Sequence, residues 1–435
     1  MPYKNKSYSV FLFFLLINVI CFSQNPIVKN KGVSDPHIRV FKDTIYLYSG
    51  HDSHPGDKTW VMKNWQIFSS TDLVNWRIRD SISPKDNYMA NNSSDCWASD
   101  AVTRNGKYYF YFSDRKRGVG VMMSNKPYAN FIDPLNKPLV APMHDPTILI
   151  DDDEDKTPYL VYGDKENGNG FHIAKLNNDM ISLAEEPKLI KITGEEWRKA
   201  PKWMDKNYIF KKNNIYYLSW GRDYAISENI YGPYKSVGGV GVGHNLNELA
   251  HGSFFNWKGQ FYHIWCYYIK KGFKYRTSII SYCHIADDGK IVTDTSFLDK
   301  HFANGVGQYN ASWEKIEAEW FYEVSGNIKK IGSKEKGFVL SNIKNGDWIR
   351  FANVTFDKEY KAIISDLKLT GKKGILEVRE GSASGKILSM LKLSALNNLE
   401  QFKNDLKVQQ GKHDIYLVFK AKKESTLQID WIKFE

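Results

Sequence analysis

Five segments of the chain repeat one short pattern, a polar turn followed by a strand dense in aromatic residues, and this recurrence limits the fold more than any other feature. They are KDTIYLYSG (42–50), NGKYYFYFS (105–113), KTPYLVYG (156–163), NNIYYLSW (213–220) and KGQFYHIWCYY (258–268). Their leading aromatics, Tyr46, Tyr108, Tyr159, Tyr216 and Phe261, stand 62, 51, 57 and 45 residues apart. Each is followed by a second short strand near a turn, as in IFSSTDLVNW and FHIAKLNND. Helical periodicity is scarce over this stretch, so it reads as nearly all β. Multi-stranded units returning at this interval mark propeller blades, and five of them predict a five-bladed β-propeller. Two consecutive sandwiches would account for the strands but not for their recurrence.

After Gly307 the texture changes. GQYNASW reads as a short polar linker, and the residues beyond it alternate in the manner of a β-sandwich of jelly-roll type, as in GDWIRFANVTF and KHDIYLVF. The 435 residues thus divide into 1–23, 24–308 and 309–435. The first piece reads as an export signal: Lys4 and Lys6 precede an apolar run from Val10 to Phe22, with small residues at Cys21 and Ser23 before Gln24. That run, about 13 residues, falls short of the roughly 20 a membrane helix needs. A secreted or periplasmic protein is expected; a lipid anchor at Cys21 is disfavoured by Asn18-Val19-Ile20 before it. The remaining Cys96, Cys266 and Cys283 lack CxxC spacing, which argues against a zinc site and for buried thiols, a Cys266–Cys283 bridge being the alternative.

The net charge is +11, but the lysines are scattered rather than clustered, so nucleic acid is not the expected partner. An anionic glycan suits an exported basic protein better; a solvated lysine-rich surface is the plainer account.

A propeller gathers the inner strands of all blades around one axis, so acids at their starts converge although distant in sequence. Asp35 in SDPHIRVF and Asp145 in HDPTILIDDD are each followed by Pro and an apolar strand. One Asp-Pro pair is ordinarily a turn starter; the same pair in equivalent places of two blades points to chemistry. The run Asp151 to Asp155 reads as a solvated hairpin turn.

With GHD (50–52), MKNWQIFSSTDLVNW (62–76), CWASD (96–100), AHGSFF (250–255) and YRTSII (275–280), these blocks resemble glycoside hydrolase family 43 over nearly all of residues 30–300. The resemblance implies inverting hydrolysis of plant or algal glycans by three carboxylates, with no catalytic cofactor, most readily of β-xylosidase or α-L-arabinofuranosidase type. The alternatives are a glycan-binding propeller without catalysis and a hydrolase of galactan or another acidic glycan. Asp35 would be the general base. Asp145 would orient substrate and keep the acid protonated, since neighbouring like charges disfavour a second ionisation. Base and acid would stand about 6.5–9.5 Å apart. His251 resembles the family's axial histidine and Arg276 its active-site arginine. His51, Asp52, Trp60 and Trp97 would line the sugar pocket, although any tryptophan equally suits a blade core.

The acid itself departs from the family pattern of Glu, a small residue and Pro set eight residues before a Tyr-Tyr-Leu strand. Lys199-Ala200-Pro201 looks like that motif but has Lys in the acid position. Counting back from Tyr216-Tyr217-Leu218 places Asp205 there instead, with no gap in the strand. Strand register fixes where a side chain points, so Asp205 is the expected acid, with Glu196 from the preceding loop as the fallback.

From KIEAEWF (315–321) through NGDWIRF (345–351) and GKHDIYLVF (411–419) to the closing IDWIKFE, the last domain resembles carbohydrate-binding module family 6. The resemblance implies a structural calcium held by Glu317, Glu319 and Asp430; ion pairs with lysines are the alternative. The loop LNNLEQF (396–402) lacks the Gly-Trp pair that stacks on sugar in such modules, leaving Trp320, Tyr322 or Trp348 as candidate platforms. A monomer acting on a polysaccharide or oligosaccharide is expected.

Overall fold

The computed structural model describes residues 25–90, 93–114, 117–164, 170–195, 205–241, 248–422 and 424–435, without the side chains of 248–250. The export signal, Lys199 and Glu196 lie outside them. Among the described residues no helix is long and apolar enough to cross a membrane.

Five sheets succeed one another, antiparallel except for the parallel outer pair Ile192–Thr193 and Tyr234–Gly239 of the fourth, with inner strands Val33–Phe41, Cys96–Arg104, His144–Ile150, Asn207–Lys212 and Glu248–Trp257. Each inner strand packs against the next and the last against the first, which closes a five-bladed ring. The aromatic segments of the sequence are the second strands: Thr44–Asp52, Lys107–Asp114, Pro158–Gly163, Ile215–Trp220 and Gln260–Tyr268. Their aromatic runs have a geometric cause. Both faces of a blade are covered by neighbours, so side chains on both sides must be apolar. In Lys107–Asp114, Phe110 and Phe112 pack on Tyr48 and Trp65 of the first blade, while Tyr109 and Tyr111 pack on Ile148 and Tyr162 of the third.

Four inner strands carry a bulge near their start, between Ser34 and His37, Cys96 and Ser99, His144 and Thr147, and Glu248 and Gly252. A bulge re-aims side chains and ends regular pairing. In the first and third blades the bulged residue is the Asp of an Asp-Pro pair, and both adopt the left-handed region, Asp35 at φ 47° and Asp145 at φ 51°. Non-glycine residues are costly there, and such strain collects at functional sites.

Below these residues the shaft holds an ionic knot. Asp100 is fully buried, accepts from Arg39 Nε at 2.8 Å and from Thr147 Oγ1 at 3.1 Å, and takes the backbone N–H of Ile148 at 3.0 Å. Burial raises its carboxyl, but Arg39 and His37 outweigh that and hold it far below the usual carboxylate range. Asp100 thereby ties three blades together. Among the described residues Cys96, Cys266 and Cys283 are buried free thiols. Asp151 departs from the expected solvated turn: it is buried, bonded to Lys211 Nζ at 2.8 Å and Tyr216 Oη at 2.5 Å, and only Asp152 to Asp155 are exposed.

The last domain is two six-stranded sheets facing each other. GQYNASW is not a loose linker. Tyr309–Asn310 pairs with Trp348–Phe356, Tyr309 is buried, and Trp313 stacks on His301 at 3.5 Å. Trp320 and Tyr322 are 1% and 3% exposed. They belong to an apolar cluster continuous across both domains, which withdraws them as sugar platforms. Trp348 is half-buried, its ring 5.3 Å from that of Tyr416.

Polar contacts seal that junction. Gln260 Nε2 donates to the carbonyls of Glu319 and Phe321, both at 2.8 Å, and Trp320 Nε1 donates to Asp294 Oδ2 at 2.5 Å. Lys330 reaches from the sandwich into the propeller, donating to Gln260 Oε1 at 2.5 Å and the Cys283 carbonyl at 2.9 Å. Burial is the largest cause that lowers its ammonium from 10.5 to about 7. Between these two values the unfolded chain binds a proton that the folded one does not, so stability rises with pH across the window and is lost as pH falls through it. Chemical denaturation at pH 7 and pH 9 is expected to show this rise, up to about 1.4 kcal/mol per pH unit, and Lys330→Met to flatten it.

Candidate active site

Asp35 sits at the mouth of the shaft, 5% exposed. Arg276 Nη1 donates to its Oδ1 at 2.5 Å, and His251 Nδ1 lies 2.9 Å from the same oxygen. Burial pushes the carboxyl up, but the charges of Arg276 and His251 prevail and hold it far below the usual range. It is therefore an ionised carboxylate, with Oδ2 unpaired among the described residues. Arg276 is fixed from behind: Asp52 takes its Nε at 2.9 Å, its Nη2 at 2.8 Å and its backbone N–H at 2.8 Å. Both oxygens of Asp52 are thus engaged, and at 2% exposure it backs the arginine instead of lining the sugar pocket. Arg276, 8% exposed with Nε and both Nη atoms bonded to acids, holds the carboxylate in place.

Asp145 is 5% exposed. Its N–H donates to Ser113 Oγ at 3.2 Å, and its Oδ2 accepts the backbone N–H of Lys206 at 2.8 Å. That bond brings the start of the fourth blade to it. Asp205, His144 and Asp145 each offer an oxygen or nitrogen within 4.8 Å of the others, and the Asp205 side chain is 27% exposed. Lys206, at φ 62°, turns its ammonium onto Asp205. Asn207 pairs with Trp220 and Tyr208 with Ser219, the ungapped register that places Asp205 just ahead of the strand.

Of the remaining pocket candidates, Trp60 and Trp97 form one wall. His51 Nδ1 lies 2.7 Å from Asn64 Oδ1. The rings of Trp60 and Trp97 meet edge to face at 6.2 Å, and Trp97 meets His144 at 6.1 Å. One face of Trp60 is covered by the ammonium of Lys274, 4.2 Å from the ring centre. Sequence reasoning missed Asp100, His144 and Lys274. CWASD carried a signal for Asp100, since it repeats the bulged start of an inner strand; a single loop lysine carried none.

In the sandwich, Glu317, Glu319 and Asp430 also bring one oxygen each within 4.8 Å of the others. Glu319 is 6% exposed, and its Oε2 has no hydrogen-bond partner among the described residues. Lys315 Nζ is 2.8 Å from Glu317 Oε1. Burial raises all three carboxyls, most strongly that of Glu319, where Glu317 adds to it.

A closed ring of five blades whose mouth presents buried and half-buried carboxylates, followed by a β-sandwich, defines a class: the propeller glycosidases with an appended module. Within it, this chain belongs to glycosyl hydrolases family 43, whose family model matches residues 23–291, and residues 317–435 match the model of carbohydrate binding module family 6. It is accordingly a glycoside hydrolase. Among curated relatives it is 25% identical to an arabinoxylan arabinofuranohydrolase of Paenibacillus polymyxa, over 91% of this chain and 72% of that one. It is 26% identical to a xylosidase/arabinosidase of Bacteroides ovatus, over 54% of this chain and 86% of that one. Among solved structures, a family 43 arabinoxylan arabinofuranohydrolase from Bacillus subtilis in complex with cellotetraose superposes over 95% of this chain and 98% of its own, with a TM-score of 0.55 at 23% identity.

Proposed function

We propose that the protein is an exported, inverting hydrolase of xylose- or arabinose-type linkages in plant or algal glycans. The observation that carries this reading is the approach of Asp205 to Asp145, across blades, in a ring whose first blade holds the ionised Asp35 in an arginine and histidine cradle. Asp35 takes a proton from water at its free oxygen as that water attacks the anomeric carbon. Asp205 gives its proton to the departing glycosidic oxygen, and Asp145, fastened by the Lys206 backbone N–H and by its own N–H to Ser113 Oγ, orients the sugar between them. The names of the relatives, an arabinofuranohydrolase and a xylosidase/arabinosidase, support the substrate class. A panel of aryl β-xylosides, α-L-arabinofuranosides and galactosides tests it. Turnover of a xyloside or arabinofuranoside with inverted product configuration is expected; turnover of none, or of galactosides alone, overturns the reading.

The acids of the sandwich support a structural calcium there. A buried carboxylate with an oxygen unpartnered among the described residues, beside two further acids of which one pairs with Lys315, fits a hard cation with oxygen ligands. Glu317, Glu319 and Asp430 would hold it, joining the first and last strands of the domain. Calcium at a hundredfold excess over its Kd is expected to stabilise the protein by about 2.7 kcal/mol, or roughly 5–10 °C in Tm by calorimetry. Chelation reverses this, and Glu319→Gln abolishes the response.

A further inference from the structure

Lys274 lies in the turn between Gln260–Tyr268 and Arg276–Ile285, two residues before the arginine that holds Asp35. Its backbone N–H donates to the Asp57 carbonyl at 2.8 Å, which ties this turn to the loop bearing Trp60. Its ammonium rests on two rings, 4.2 Å from the centre of Trp60 and 5.1 Å from that of Tyr268. Aromatic faces attract a cation but do not neutralise it. An ammonium has three donors and no acceptor, and among the described residues no carboxylate pairs with Lys274. A lysine at a protein surface ordinarily keeps its rotamer freedom; this one is immobilised, half-buried and uncompensated. From Trp60 the wall continues through Trp97 to His144 and the acids, so the charge stands on the rim of the proposed sugar pocket. It is a cation preorganised for an anionic ligand, and holding it in place lowers the cost of binding one.

We infer that Lys274 Nζ receives an oxyanion of the substrate, a carboxylate or a sulfate, so that the glycan bound best is acidic. The inference rests on the reading of the propeller mouth as a sugar site and adds the charge of what enters it. The net charge of +11 agrees with an anionic substrate.

The test uses the full chain carrying Asp35→Asn, which slows hydrolysis during titration. Calorimetry compares a glucuronosyl-substituted xylo-oligosaccharide, a sulfated one of the same length and the unsubstituted one. At least one acidic ligand is expected to bind about three- to tenfold tighter than the neutral one, with the advantage shrinking as salt rises. Which of the two it is separates carboxylate from sulfate. Adding Lys274→Met is expected to bring the acidic-to-neutral ratio towards one, and Lys274→Arg to keep it. Equal affinities for all three ligands, or a ratio unmoved by Lys274→Met, overturns the inference. Turnover of neutral aryl glycosides by the wild-type chain decides the underlying reading separately.

Discussion

Replacing Asp35 by asparagine is expected to lower kcat on the order of a thousandfold while leaving the protein folded. Asparagine keeps the shape and one oxygen towards Arg276 and His251, so the cradle has something to hold. Arg276 retains its second acid, Asp52, which grips it with both oxygens. What is lost is the ability to accept a proton from water, and a well-placed general base contributes about 10² to 10⁴ in rate. Steady-state kinetics on an aryl xyloside or arabinofuranoside, with a denaturation curve for the variant, checks both halves. A variant within tenfold of the parent removes Asp35 from the role of base. The same cradle has a consequence for pH. The folded carboxyl titrates far below its ordinary value of 3.8. Its contribution to stability is therefore fully present above that ordinary value and lost only as pH falls below it. Asp35 is thus ionised at and above the ordinary carboxylate range, so an acid limb of the pH–rate profile in that range is set by another group.

The second large effect is at Asp205. Asparagine there is expected to cut kcat/KM on xylo- or arabino-oligosaccharides by about 10² to 10⁴, because a sugar alkoxide cannot leave without a proton. A dinitrophenyl glycoside, whose leaving group needs no proton, should lose less than about tenfold. This dependence on the leaving group distinguishes a proton donor from a residue that merely shapes the pocket. Asp205→Glu, which restores the extra methylene of the family residue, is expected to retain activity within about tenfold. Equal loss on both substrates, or none, removes Asp205 from the role. If Glu196→Gln then shows the leaving-group pattern, the proton comes from the loop that precedes Asp205.

Lys206 makes this site unlike a plain pair of carboxylates. Its backbone N–H fastens Asp145, and its ammonium lies on Asp205, so one residue touches both acids. The positive φ of 62° makes the double contact feasible by turning the chain sharply just before the strand begins.

Much of this was legible in the sequence because two kinds of regularity survive without three-dimensional information. The first is the aromatic strand. A blade covered on both faces must be apolar on both faces, and that leaves runs such as Tyr109-Phe110-Tyr111-Phe112 with polar turns between them. The second is register. A strand side chain points where its distance along the strand dictates, so Asp205, counted from Tyr216, came to lie beside Asp145, 60 residues away.

Tertiary structure alone decided which polar groups are partners. Asp52 and Arg276 are 224 residues apart, and no local pattern announces that the acid serves the arginine and not the sugar. Trp320 and Tyr322 read equally well as stacking platforms or as core; only the docking of sandwich on propeller buries them. Lys330 and Lys274 are two lysines among many, one with its ammonium pushed down to about 7 by burial at that junction and the other held on two aromatic faces. Sequence records periodicity because local geometry enforces it at every turn of the chain. Burial and pairing depend on which distant segments meet, and they determine what a charged side chain does.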